Sequence, residues 1–171
     1  MSAGIAAVGP RLVTAVFQKE TGTRLAVVPY RSTAAEFQDL MGGQIDISFN
    51  APDWLSLLRA GSLKAYAMTS NTRWTAAPDI PTFAELGFPQ VSFSVWLGLF
   101  APKGTPKDIV TKLNAAAVEA AADPAARSRF ADLALEIFPR EQQTPEALGA
   151  LVKADAEKWW PIIKELAIKG E

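Results

Sequence analysis

Tyr30-Arg31-Ser32-Thr33 gathers a phenol, a guanidinium and two hydroxyls in one short run. A guanidinium can hold a carboxylate through two parallel hydrogen bonds, and hydroxyls can complete the anion's shell. The chain contains neither histidine nor cysteine. Ser-His and Cys-His catalysis, histidine-ligated zinc, disulfides and thiol chemistry all need residues it lacks. What remains is recognition of a small anion, or chemistry built on carboxylates, lysines or backbone. The latter would set Asp46 or Asp53 beside Arg31, yet no base and nucleophile pair converges in the sequence. Arg31 also has a plainer reading as a solvated surface charge, and Tyr30 can pack rather than face a ligand.

The elements around this run give it a place. Leu25, Val27 and Val28 form a strand that ends at Pro29. Ser32 or Thr33 caps a helix, with Glu36 close to capping-box spacing. Phe37, Leu40 and Met41 make its apolar face, and Gly42-Gly43 stop it. Ile45, Ile47 and Phe49 then alternate with Asp46 and Ser48, as in a half-buried strand. Strand, helix and strand with short links make a right-handed parallel crossover. Ligands of such sheets sit outside the carboxyl ends of the strands. That puts Tyr30, Arg31, Ser32, Thr33 and Asn50-Ala51 beside a candidate site.

Upstream, Ser2 to Gly9 reads as a small-residue loop, with Pro10 in the first turn of a helix that Gly22 ends. Leu12, Val13, Val16 and Phe17 form its inner face. A glycine-containing loop feeding a helix N-terminus is an anion site in principle, and an ordinary strand-to-helix turn otherwise. Downstream, a short helix spans APDWLSLLRAG, with Pro52 and Asp53 in its first turn. Leu63 to Met68 reads as a strand, followed by the polar loop TSNTR with Thr69, Ser70 and Arg73. PTFAEL reads as one or two helical turns, and VSFSVWLGLFAP as a long strand. Trp96, on that strand, either closes over a ligand or packs in a core. Thr105 caps the next helix, with Pro106 first and Asp108 in its positive first turn. Ile109, Leu113, Ala116 and Val118 form its inner face. Asp123-Pro124 restarts a helix to about Leu133, and Leu135, Ile137 and Phe138 suggest a strand. The last helix opens at Thr144-Pro145-Glu146 and ends near Gly170, with Pro161 kinking it. Trp159, Trp160, Ile163 and Leu166 are its expected buried face.

Four blocks carry a family resemblance. VPYRSTAAEFQDLMGGQIDISF resembles the VPYKG…AL.DLLGGQVD.MF signature of the tripartite tricarboxylate transporter substrate-binding proteins, the Bug family. LKAYAMTSNTRWTAAPDIPTFAELGFP and WLGLFAPKGTPKDIVTKLN resemble two further segments of that family. AGIAAVGPRL lies where the family has SG.GS..HL, a loop facing the ligand. Ala6 and Ala7 stand in place of its Gly-Ser, and Arg11 in place of its His. The resemblance implies contacts to a carboxylate from Gly4, Ala6 and Ala7, through backbone N–H groups. Ser32 stands where the family has glycine, so it either narrows the site or adds a hydroxyl.

The resemblance implies an α/β fold like the type II periplasmic binding proteins, with one lobe nearly complete and the C-terminal part of the other. Residues 1–100 would be the second, Rossmann-like lobe, and residues 101–171 the C-terminal helical part of the first. The function implied is non-covalent binding of a small carboxylate in an inter-lobe cleft, in the periplasm, with the membrane components of the transporter as partners. No cofactor or metal is implied. Against the family pattern the N-terminal half of the first lobe is expected to be missing, and with it the second lobe's own first strand. An unpaired strand edge would then favour association, a homodimer included. The alternative function is a structural or regulatory fragment that binds nothing unless a dimer rebuilds the cleft.

Composition is compatible with this. The 171 residues are 49% apolar, enough for a sizeable core. The 17 basic and 18 acidic residues leave a net charge of −1, with no basic excess for nucleic acid or an anionic membrane. No apolar run reaches the length of a membrane span, and MSAGIAAVGPR lacks the basic start of a signal peptide. Near residue 101 the composition turns from Gly/Pro-punctuated strands to Ala-rich helices.

Overall fold

A computed structural model describes residues 1–50, 54–132 and 135–165. They fall into two compact units, Met1–Val95 and Trp96–Glu165.

The first unit is built on a parallel sheet of β1 (Ser2–Ile5), β2 (Ala26–Pro29) and β3 (Ile47–Ser48), in the order β2-β1-β3. The small-residue stretch at the start of the chain is therefore the central strand, not a loop. The expected absence of a first strand is overturned. Ala3 and Gly4 are small because the sheet is covered closely here, and Ala3, Gly4 and Ile5 are all buried. Strand-forming Ile5 was the weak signal among flanking residues that favour turns.

Helix α1 (Val8–Thr21) links β1 to β2, and α2 (Thr33–Met41) links β2 to β3. The crossover between β2 and β3 thus passes over β1 instead of joining neighbours. Right-handed crossovers taken in opposite directions along a sheet set their helices on its two faces. The register agrees: Gly4 pairs with Ser48 and faces Glu36 of α2, while Phe17 of α1 meets Phe49 and Phe83 at ring separations of 5.5 and 5.9 Å. Gly22 ends α1 at φ 67°, a left-handed conformation that glycine adopts without steric cost. Leu12, Val13 and Val16 are buried as expected, with Thr14 beside them donating back to the Pro10 carbonyl at 2.8 Å.

At the amino edge of the sheet, Asp46 joins β1 to β3. Its carboxylate accepts from the Ser2 backbone N–H at 2.6 Å and from the Ser2 hydroxyl at 3.0 Å. Beyond β3, α3 (Leu55–Arg59) carries half-buried leucines, and Trp54 stands edge-on to Trp74 at 6.3 Å. Pro52 and Asp53 lie outside the described residues. The strand expected over Leu63 to Met68 is reduced to one parallel bridge, Met68 to Thr82. The long strand expected from Val91 is also not formed. Pro89–Val91 is a 3-10 turn, and the Phe93 N–H donates to the Thr69 carbonyl at 2.8 Å. Pro89 withholds one donor, and among the described residues no strand pairs with the apolar run. The PTFAEL segment is a turn closed by Thr82 and Glu85, each bonding the other's backbone N–H at 2.7 and 3.2 Å.

The second unit holds α4 (Lys107–Ala122), α5 (Pro124–Asp132) and α6 (Pro145–Glu165). Pro106 rather than Thr105 precedes α4, because the Thr105 hydroxyl donates to the Pro102 carbonyl at 2.8 Å. Of the expected inner face of α4 only Val118 is buried; Ile109, Leu113 and Ala116 are exposed. Helix α6 continues through Pro161 to Glu165, with Trp159 buried and Trp160 exposed, so the two tryptophans do not share a buried face. Residues 135–139 are not a strand. The expected helix ends at Leu133 and Gly170, and Leu166, fall outside the described residues.

Candidate carboxylate site at the strand ends

The strand order β2-β1-β3 has a topological switch between β1 and β3, where successive crossovers leave in opposite directions. In parallel sheets of this order the ligand crevice lies at that point, outside the carboxyl ends. Three segments meet the carboxyl edge here: Ile5-Ala6-Ala7 after β1, Tyr30-Arg31-Ser32 after β2, and Phe49-Asn50 after β3.

The turn after β1 leads into the N-terminus of α1. Ala7 stands at the N-cap of α1 in an extended conformation, and its methyl group cannot cap. The helix begins without a side-chain cap and without an acidic residue in its first turn. Free N–H groups at such an end favour an anion, and so does the helix dipole. A small concavity there is lined by Ile5, Ala6, Ala7, Val8, Arg11 and Pro29. Arg11 is half-buried and adds its charge at the end of the helix where the dipole is already positive.

The turn after β2 is more occupied. The Tyr30 N–H donates to the Ile5 carbonyl at 2.8 Å, extending the ladder past β2. Its phenol donates to Asp39 Oδ2 at 2.7 Å. That bond, followed by desolvation and the nearby carboxylate charges, pushes the Tyr30 pKa up from 10.0 to about 12. Ser32 is the N-cap of α2, its hydroxyl accepting from the Ala35 N–H at 3.3 Å. Thr33 is the first residue of that helix. Arg31 is exposed.

Gly4 is placed differently from the sequence expectation. It lies inside β1, and a Cβ on it would stand 2.6 Å from Ile45 and 2.7 Å from Glu36. Its surroundings are filled by protein side chains. Ala51 lies outside the described residues. Trp96 belongs to the second unit, where its indole N–H donates to Asp155 Oδ2 at 2.5 Å. Arg73 is engaged by both oxygens of Glu85 at 3.0 Å and donates to the Pro78 carbonyl at 3.0 Å, which fixes a turn. Asp46 sits at the amino edge with Ser2, and Arg31 follows the carboxyl end of β2, so the sheet separates the two groups that carboxylate chemistry with Asp46 would have needed together.

One polar group was missed. Glu36 is fully buried beneath Gly4, its Oε1 accepting from the Ser48 hydroxyl at 2.5 Å, and Ser48 Oγ accepting from Asn50 Nδ2. The helical spacing Thr33, Glu36, Leu40 was the available signal, because it sets Glu36 on the inward stripe. Among the described residues no group of acidic side chains is placed to hold a metal ion, and no helix is long and apolar enough to cross a membrane.

The chain is similar to known proteins. The chain is 34% identical over 161 residues to the protein BugT of Bordetella pertussis, covering 92% of this chain and 48% of that protein. It superposes on the periplasmic binding protein BugD with a TM-score of 0.80 and 31% identity, over 100% of this chain and 58% of that one. MatC from Rhodopseudomonas palustris, solved with bound malate, gives a TM-score of 0.79 and 30% identity over 95% of this chain and 56% of that one. The chain thus spans about half the length of these three relatives. The model of the tripartite tricarboxylate transporter family receptor (TctC) matches residues 1–168, and the chain belongs to that family.

Proposed function

We propose that this chain is the ligand-holding part of a periplasmic solute-binding protein that takes a small carboxylate without covalent chemistry. One observation carries the reading. An uncapped helix N-terminus and Arg11, in the same first turn, line a concavity at the carboxyl edge of a parallel sheet. A cation there repels the positive end of its own helix by about 0.3–1 kcal/mol, so an anion relieves two like charges together. Backbone N–H groups of Val8 and Gly9, with Arg11, hold the carboxylate, and Arg31 supplies long-range attraction. The malate bound by a structural neighbour supports a ligand of this class. The membrane components of a tripartite transporter are the partners in this reading.

The test is a thermal-shift titration against mono-, di- and tricarboxylates, with Arg11→Ala alongside. A ligand that binds only the folded state raises the melting point with concentration. The expected result is a shift with one carboxylate class that Arg11→Ala removes. A sharp melt that no carboxylate moves would overturn the proposal.

A second reading has its own observation. Leu97, Leu99 and Phe100 are 74%, 66% and 63% exposed in the second unit. Here the chain binds no ligand alone, and a second copy covers this apolar run and completes the cleft. A well-folded monomer by light scattering would exclude it.

A further inference from the structure

A hydrogen-bond relay runs from beneath the sheet to its carboxyl edge at the β1/β3 switch point. Its inner end is Glu36, with 0% of its surface exposed. Oε1 accepts from the Ser48 hydroxyl at 2.5 Å, and Ser48 Oγ accepts from Asn50 Nδ2. The other oxygen, Oε2, is buried without a partner. A carboxylate oxygen beneath a sheet with an unmet lone pair is a costly way to fill space, and an apolar side chain would pack there at less cost. Its presence calls for a role other than stability.

With Glu36 ionised, the relay has a fixed polarity. A carboxylate oxygen only accepts, and a serine hydroxyl has one proton to give. With that proton on Glu36, Ser48 offers only lone pairs to Asn50. The amide must then present its NH2 group to Ser48, which turns the carbonyl Oδ1, on the other arm, away from it. An asparagine without such a constraint rotates its amide to suit either a donor or an acceptor.

We propose that Glu36 and Ser48 are positioning residues that lock the Asn50 amide with Oδ1 toward the ligand. The site then selects carboxylates carrying a hydrogen-bond donor, a hydroxyl or an ammonium, over plain ones. This inference rests on the carboxyl edge being the ligand site. A plain dicarboxylate would leave Oδ1 unpaired or set an oxygen against it, and a buried polar group left unpaired is the strongest source of discrimination a site has.

Calorimetric titration of the chain with succinate, malate and aspartate tests it, since the three share two carboxylates and differ in the donor. Malate or aspartate is expected to bind about ten-fold or more tighter than succinate, and which of them does so identifies the donor. In Ser48→Ala the amide is free to turn, and the gap is expected to close to about two-fold. Equal affinities in the wild type, or a gap that survives Ser48→Ala, would overturn the inference while the carboxylate-binding function stands. Binding of none of the three overturns both for dicarboxylates. A measurement without ligand guards against a misfolded variant: the Asn50 side-chain NH2 protons should show nuclear Overhauser contacts to Ser48. Their absence from the wild type would overturn the relay itself.

Discussion

Gly4 of β1 and Glu36 of α2 are in direct contact across one face of the sheet, so close that a Cβ on Gly4 would stand 2.7 Å from Glu36 Cγ and 2.8 Å from Oε1. Ile45 Cδ1 would be nearer still, at 2.6 Å. Gly4→Ala therefore forces a buried carboxyl and a core isoleucine to move together. Overpacking of this kind costs about 1–3 kcal/mol. Chemical denaturation should show a lower midpoint with an unchanged slope. An unchanged midpoint would mean that the helix shifts freely and that the packing over Glu36 is loose.

Tyr30 should behave as a late-titrating phenol. Its bond to Asp39 raises its pKa from 10.0 to about 12. Between those values the folded state keeps a proton that the unfolded state has released. Stability is thus fully present below pH 10 and falls as pH rises toward about 12. Tyrosinate absorbance should contain a component titrating near the upper value, and Tyr30→Phe should remove it. If the two proteins titrate alike, the phenol is not held by Asp39 in solution.

The β2-α2-β3 unit was legible because each local signal agreed: Pro29 at the end of the strand, Ser32 at the cap, Gly42-Gly43 at the stop. The strand β1 was not, since Ser2, Ala3 and Gly4 have low strand propensity and gain their place from non-local pairing with Val27, Val28 and Ile47. The run after Val91 shows the converse. Its apolar residues favour a strand, but among the described residues no strand pairs with them, and Val95, Leu97 and Leu99 remain exposed. At the site, the carboxyl edge followed from topology alone. The roles of Gly4 and Glu36 did not, because both depend on which helix covers which face. Spacing near a capping box drew Glu36 to the helix end, whereas the structure gives the cap to Ser32 alone.

Two carboxylates make the fold sensitive to acid in a defined window. The Ser2 backbone N–H, then its hydroxyl, hold the Asp46 carboxyl below its ordinary value of 3.8. The Thr82 N–H, then Arg73, hold Glu85 below 4.5. Both folded values are depressed, so the stabilisation is present above the ordinary values and is lost as pH falls through the depressed ones. Urea midpoints should decline on acidification below about pH 4.5. Asp46→Asn and Glu85→Gln should each flatten part of that decline. An unaltered pH profile in both variants would mean that neither bond persists in solution.

Arg11 and Arg31 carry the same charge but should contribute unequally to binding. Arg11 is half-buried and lines the concavity at the uncapped start of α1, whereas Arg31 is exposed past the end of β2. A hydrogen bond to a charged group in a partly desolvated site is worth about 1.5–3 kcal/mol. An exposed charge pair is worth about 0–1 kcal/mol and is screened by salt. Arg11→Ala should therefore weaken carboxylate binding about ten- to hundred-fold, and Arg31→Ala by less than about five-fold. The Arg31 effect should vanish when salt is raised, while the Arg11 effect should persist. Lysine at position 11 keeps the charge and loses the planar fork, so Arg11→Lys should recover only part of the affinity if the contact is bidentate. Full recovery would reduce Arg11 to a point charge. Equal losses from the two alanine variants, both abolished by salt, would move the anion out of the concavity and onto the open surface of the strand ends.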